Sequence, residues 1–245
     1  MTGLPVFPGG TSVSHLRVYD WPAPDAPEGS GSPHLHTTST EAYVTLSGHG
    51  RVETLGPEGF AVHDLTPGRI VWFGPGVVHR AVNGGGLEVL VVMSNAGLPE
   101  SGDAVITFPA DVLADADRYA RAAALPRGED GATDTDVAAA ARARRDLALE
   151  GYAALRDAVG QHGPAALEPL HDAAARLVAP RTAAWRETWE ASVGHAAGQT
   201  DAALEALADA SAVTLDEGRV AVADATGGPR RYGMCGRLRT WPLAP

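Results

Sequence analysis

Between residues 11 and 95, apolar and polar positions alternate in short runs broken by Gly, Pro, Ser and Asp clusters, the pattern of strands in an antiparallel sandwich or barrel. The runs predict strands over 13–19, 34–37, 41–47, 50–55, 60–65, 70–73, 79–83 and 87–93. Eight strands of this length close one small barrel. Residues 22–33, rich in Pro, Gly and Ser, read as a loop. After Ser94 alanine becomes frequent and the apolar spacing moves from two towards three and four, the period of helices.

The segment 126–135 reads as an exposed linker, after which Asp134 or Asp136 can cap a long helix. That helix runs towards Val159, carries Leu147, Gly151, Leu155 and Val159 on one face, and ends at Gly160 and Gly163. Further helices are expected over 164–178, 181–193 and 199–210, with Trp185 and Trp189 one turn apart as packing residues. The tail alternates weakly again at 219–223. Its Leu238-Arg239-Thr240-Trp241-Pro242 echoes the stretch from Leu16 to Pro22, both ending in Trp-Pro. The expected organisation is a barrel over 1–110, a linker over 111–135, a helical region over 136–211, and a tail over 212–245 with the option of rejoining the sheet. The fold class is mainly β with an α appendage.

Composition narrows the function. A chain of 245 residues buries a stable core without disulfides. A net charge of −11 opposes binding to a phosphate backbone, so no nucleic-acid partner is expected. All 19 basic residues are arginine, which removes lysine Schiff bases, pyridoxal anchors and P-loop lysines. Cys235 is the single cysteine and suits a reducing compartment. The first ten residues lack a basic and apolar leader pattern, and no run is long enough to span a bilayer. A cytoplasmic protein with no membrane partner is expected.

Candidate chemistry gathers in the β-rich half. His34 and His36 stand two apart on a predicted strand and so project into one interior. Glu41 follows His36 at an odd interval, and a bulge or turn over 37–40 must re-aim the chain before Glu41 can join them. Gly48 stands where a hairpin would reverse the strand. Pro75-Gly76 makes a tight turn that feeds His79 onto another strand, with Asn83 four residues on. Tyr43 and Thr45 share a face with Glu41 as candidate cavity donors, Tyr43 as auxiliary acid or base, and Arg51 is a candidate anchor for an anionic substrate. One of Trp72 and Phe73 is expected to wall the pocket and the other to face outward. His15, His49, His63, His162, His171 and His195 lack partners at ligand spacing.

Two motifs carry a family resemblance. Gly29-x4-His34-x-His36-x4-Glu41-x6-Gly48 closely resembles the first motif of the cupin superfamily, and Gly68-x7-Gly76-x2-His79-x3-Asn83 resembles the second. The glycine before the first histidine stands one residue nearer than usual, and the usual proline is Gly74 with Pro75 shifted by one. Neither change touches a ligand. The resemblance covers 29–83 and implies a double-stranded β-helix (jelly-roll) barrel holding one divalent transition metal on His34, His36, Glu41 and His79. It also implies pairing of barrels into a homodimer. Fe, Mn, Co, Ni or Zn suits three imidazoles and one carboxylate. An octahedral ion leaves two positions open for chemistry, whereas a tetrahedral zinc with all four bound is closed and structural. The expected function is a metal-dependent enzyme acting on a small molecule, with a dioxygenase-type oxidoreductase favoured slightly. An isomerase, epimerase or lyase is the alternative, and a non-catalytic sensing module the third.

Overall fold

The computed structural model describes residues 6–126 and 131–242. Within them nine strands form one antiparallel sheet curled into a barrel. The strands are β1 (Ser12–Val18), β2 (His34–His36), β3 (Glu41–Gly56), β4 (Gly59–Leu65), β5 (Ile70–Phe73), β6 (Val78–Met93), β7 (Ala104–Ile106), β8 (Arg231–Tyr232) and β9 (Gly236–Thr240). Helices α1 (Ala110–Leu113), α2 (Ala116–Ala123), α3 (Asp134–His162), α4 (Glu168–Val178), α5 (Thr182–Trp189), α6 (His195–Ala208) and α7 (Val213–Asp216) separate β7 from β8. Among the described residues no helix is long and apolar enough to cross a membrane.

The expected runs 41–47 and 50–55 are one strand, β3, and the runs 79–83 and 87–93 are one strand, β6. Gly48 therefore kinks β3 instead of reversing it. The register against β6 shifts between Thr45 and Ser47, between Ser47 and His49, and between His49 and Gly50, and such bulges bend a strand without ending it. Gly48 has φ +69°, and a Cβ there would fall 2.1 Å from the Gly86 carbonyl oxygen, so neither the conformation nor the space admits a side chain. The bend lets β3 pair with β5 through Glu41–Val44 and with β4 through residues 50–56, serving two walls of the barrel.

Two apolar clusters hold the molecule together. One fills the barrel with Leu16, Tyr43, Val52, Leu65, Val89 and Val91 among others. The second joins the barrel to the helices, where Leu35, Leu55 and Ile106 meet Tyr152, Leu170 and Trp185. This burial explains why an alanine-rich helix as long as α3 is stable, since its own side chains contribute little. Gly151 marks its crossing point, because a Cβ there would lie 2.2 Å from the Thr107 carbonyl oxygen.

The cap of α3 is Thr133, not Asp134 or Asp136. Thr133 Oγ1 accepts from Asp136 N at 3.3 Å and Asp136 Oδ2 accepts from Thr133 N at 2.8 Å, a reciprocal capping box. Gly160 lies inside the helix, and only Gly163 ends it. The stretch 111–135 carries α2 and most of α1 where a linker was expected, and residues 127–130 of it lie outside the described residues. At the chain's end β9 pairs with β1, Leu238 opposite Leu16, which places the two echoing segments side by side. Residues 219–223, expected to be β-like, belong to no strand.

Candidate metal centre

His34 and His36 project from β2 into the barrel and are buried. Antiparallel pairing of β2 with β6 sets His34 directly opposite His79. Glu41 opens β3 on the far side of the loop 37–40. Asp103, ahead of β7, organises that loop. Its Oδ1 accepts from the backbone N–H of Thr37 and Thr38 at 2.9 and 2.8 Å and from their hydroxyls at 2.6 and 3.0 Å, while Oδ2 accepts from Ser39 N at 3.1 Å. One carboxylate thus turns the chain through the odd interval between His36 and Glu41.

One donor atom from each of His34, His36, Glu41 and His79 lies within 4.8 Å of the others. His34 Nδ1–H donates to Ser32 O at 2.9 Å, and His79 Nδ1–H donates to Val77 O at 3.1 Å. Each ring therefore turns its Nε2 towards the centre, and the two Nε2 atoms stand 3.2 Å apart. Glu41 Oε2 lies 3.1 Å from His36 Nε2 and 3.0 Å from His79 Nε2, yet is buried with no partner in hydrogen-bond geometry. Rings fixed through Nδ1, lone pairs converging on one point and an orphaned carboxylate oxygen fit a divalent cation.

Burial and neighbouring charges set the protonation of each group. Burial, then the neighbouring His79 and His36, push His34 well below the ordinary imidazole value and keep it neutral. Burial works against charge on His36 too, but Asp103 at 3.4 Å from Nδ1 and Glu41 outweigh it and lift that ring to about 9. Burial would raise Glu41, but His79 and His36 hold it ionised, well below the usual carboxylate range. Asp103 likewise is held ionised, its burial overcome by the nearby His36 and by hydrogen bonds from Thr37 and Ser39.

The family model described as "Cupin domain" matches residues 25–93, the span that contains all four donors. Those residues belong to the cupin superfamily. No curated protein matches the chain. Among solved structures the chain is similar to KdgF from Halomonas sp., at 24% identity over 27% of this chain and 58% of that one with a TM-score of 0.24. It is similar to an oxalate oxidase in complex with the substrate analogue glycolate, at 25% identity over 36% and 51% with a TM-score of 0.25. It is also similar to the QdtA 3,4-ketoisomerase from Thermoanaerobacterium thermosaccharolyticum, at 17% identity over 38% and 86% with a TM-score of 0.28. The chain spans between half and three fifths of the length of the first two.

Around the cupin centre the remaining sequence candidates separate. Phe73 is the inward member of its pair, its ring 4.1 Å from that of His79, while Trp72 is 70% exposed. Tyr43 is fully buried in the barrel core, its ring 6.3 Å from that of His79 and its hydroxyl 3.5 Å from Cys235 Sγ. Burial, then Cys235 and Glu41, push the phenol far above its ordinary value, so it stays protonated. Thr45 is buried on the same face with its hydroxyl unpartnered. Arg51 does not reach the cavity and instead bonds Glu53 at 2.8 and 3.1 Å. Asn83 accepts from Gly85 N and Leu87 N at 2.9 and 3.1 Å and shapes the bend of β6. His171, unassigned from sequence, donates from Nε2 to Gly76 O at 2.9 Å and ties α4 to the turn before His79.

His34, His36 and Glu41 open onto a cavity of about 600 Å³. Much of its wall comes from far along the chain, including Arg144 of α3, Tyr232 of β8, Met234, Cys235 and Leu238. The tail is held over the barrel mouth by Ser32 N donating to Met234 O at 2.9 Å and Tyr19 N donating to Cys235 O at 3.1 Å. Cys235 is buried, and desolvation, then the charge on Glu41, pushes its thiol up to about 12. A second cavity of about 460 Å³ lies among α1, α3 and α4, away from the donors. Asp103 and Arg144 were not singled out from sequence, and the tail was read as a strand that could rejoin the sheet, not as a wall of the cavity.

Proposed function

We propose that the protein is a metal-dependent enzyme acting on a small molecule held in the cavity over the cupin centre, and that the reaction is an oxidation of the dioxygenase type. The observation that carries this reading is the four-donor cluster opening directly onto a 600 Å³ cavity. His34, His36, Glu41 and His79 would hold the ion, which supplies Lewis acidity and, when redox-active, electron transfer. The chain's own residues fix the rings through Ser32, Val77 and Asp103, keep Glu41 ionised and shield the centre from bulk water. Tyr43 does not line the cavity and its phenol stays protonated, so it supplies no phenolate base there.

The test is elemental analysis followed by turnover. Purified protein should carry about one divalent transition metal per chain, lost in His36→Ala and His79→Ala. Stoichiometric metal in a folded double variant would remove the ligand assignment. Iron-loaded protein given a substrate found by binding screens should consume dioxygen. Full anaerobic turnover with zinc would instead establish an isomerase or lyase, and tight binding without turnover on any metal a sensing module.

We infer also that the working form is a homodimer joined through the outer face of the barrel. The register places Trp72, Ala42, Val92 and Val13 in one row and Ile70, Val44 and Leu90 in the next, all pointing away from the core. Ile70 is 52% exposed and Trp72 more so, and an apolar face of this extent favours cover by a second copy.

A further inference from the structure

Among the described residues three arginines are buried: Arg80, Arg144 and Arg145. Two have acidic partners. Arg80 donates to Asp25 at 2.8 and 2.9 Å and to Glu53 at 3.3 Å, and Arg145 Nε lies 2.7 Å from Asp146. Arg144, 7% exposed, has no carboxylate partner among the described residues. Its Nη1 donates to Ala123 O at 3.2 Å and its Nη2 to Gly233 O at 2.7 Å, while Nε–H has no partner.

The groups around Arg144 supply no compensating charge. Tyr19, Tyr119 and Cys235 are its ionisable neighbours, and burial raises all three so that each stays protonated. A guanidinium taken out of water without a counter-ion is costly, and two carbonyl dipoles offset only part of that cost. Such a group persists where an anion completes it. Arg144 lines the same cavity as His34, His36 and Glu41, with Cys235 within electrostatic reach of both Glu41 and Arg144. Two charged residues stand elsewhere on that wall: Glu100, whose Oε2 accepts from Gly97 N at 2.8 Å, and Arg231, which is exposed.

We propose that Arg144 is the anchor for a carboxylate of the substrate, which it holds by its free guanidinium donors while the rest of the molecule reaches the four-donor centre. This rests on the reading of that centre as a substrate-processing metal site and names the substrate class. One buried guanidinium matches the single charge of a carboxylate and its planar two-oxygen geometry, whereas a phosphate dianion calls for a second buried cation, and Arg231 is in water. Arg144 lies on α3, outside the matched residues 25–93, so the helical half contributes a specificity-determining residue to the barrel's cavity.

The experiment uses the full-length, metal-loaded protein and a series of probes: acetate, malonate, succinate, glutarate, the uncharged malonamide and inorganic phosphate. Calorimetry and thermal melting read binding, and elemental analysis of the same samples reads metal. At least one carboxylate should bind and raise the melting temperature while malonamide does not. Arg144→Gln should weaken the best carboxylate on the order of tenfold or more with its metal retained. Should that variant fail to fold, Arg144→Lys keeps the charge, loses the planar fork, and is expected to weaken the same probe several-fold. Unchanged affinity in the folded variant, no binding by any carboxylate, or phosphate binding more tightly than every carboxylate overturns the proposal. Arg144-dependent carboxylate binding by protein that takes up no metal would sink the metal reading and leave the anchor. Metal-replete protein indifferent to Arg144→Gln would do the reverse.

Discussion

Asp103 Oδ2 stands 3.4 Å from His36 Nδ1 while the same carboxylate collects the backbone N–H groups of Thr37, Thr38 and Ser39. One buried anion therefore orients a candidate ligand ring and fixes the loop that delivers Glu41 to it. Replacing it by the isosteric amide removes the charge and leaves at least one of these donors unmatched. Asp103→Asn is expected to lower metal affinity by about 10- to 100-fold and stability by about 1–3 kcal/mol. Competition against a chelator of known affinity, beside urea unfolding, measures both. Undiminished metal affinity would show that Glu41 alone positions His36.

Asp25 and Arg80 join the 22–33 loop to the barrel wall, and this pair gives stability a defined dependence on pH. The hydrogen bond and charge of Arg80 lower the Asp25 carboxyl from an ordinary 3.8 to about 2. A carboxylate with a depressed folded value stabilises the native state above its unfolded value, and the contribution is lost as pH falls through the folded one. The Asp25 side chain is 41% exposed, so solvent screening limits the contribution to about 1 kcal/mol or less. Wild type should exceed Asp25→Asn in urea stability at neutral pH, and the gap should close between about pH 4 and about pH 2. A gap that persists unchanged across that range would assign the effect to neutral contacts.

Trp72 and Ile70 lie two apart on β5 and face solvent together. If a second copy covers them, Trp72→Glu should turn a dimer into a monomer with the fold intact, read by sedimentation and circular dichroism. Wild-type protein that sediments as a monomer at high micromolar concentration would remove the dimer and leave this face uncovered.

Much of the fold was legible because β-strands and helices write different periods into a chain, and the change of period after Ser94 separates β1 to β6 from the helices. What periodicity missed was continuity. The runs either side of Gly48 read as a hairpin, since a glycine with φ above zero serves a reversal and a bulge equally well, and only pairing with β6 distinguishes them. The cap of α3 shifted from an aspartate to Thr133 for a related reason: Thr133 and Asp136 satisfy each other, and either alone reads as a plausible cap.

The residues that gather at the centre divide the same way. His34 and His36 are legible as neighbours because strand spacing puts them on one face, and Glu41 and His79 join them as ligands through the motifs' resemblance to cupins. Asp103 reaches His36 only because β7 pairs with β2, and no spacing ties the two. Arg144 sits beside Arg142 and Arg145 on a helix, where the sequence shows three equivalent charges; only packing of α3 against the barrel turns Arg144 towards the cavity and leaves it without a carboxylate. Sequence alone thus determined which donor groups the barrel can offer, since that follows from residue type, strand period and the spacing of the two cupin-like motifs. The tertiary structure decided which distant groups surround it, because desolvation and charge balance depend on contacts between segments that are remote along the chain.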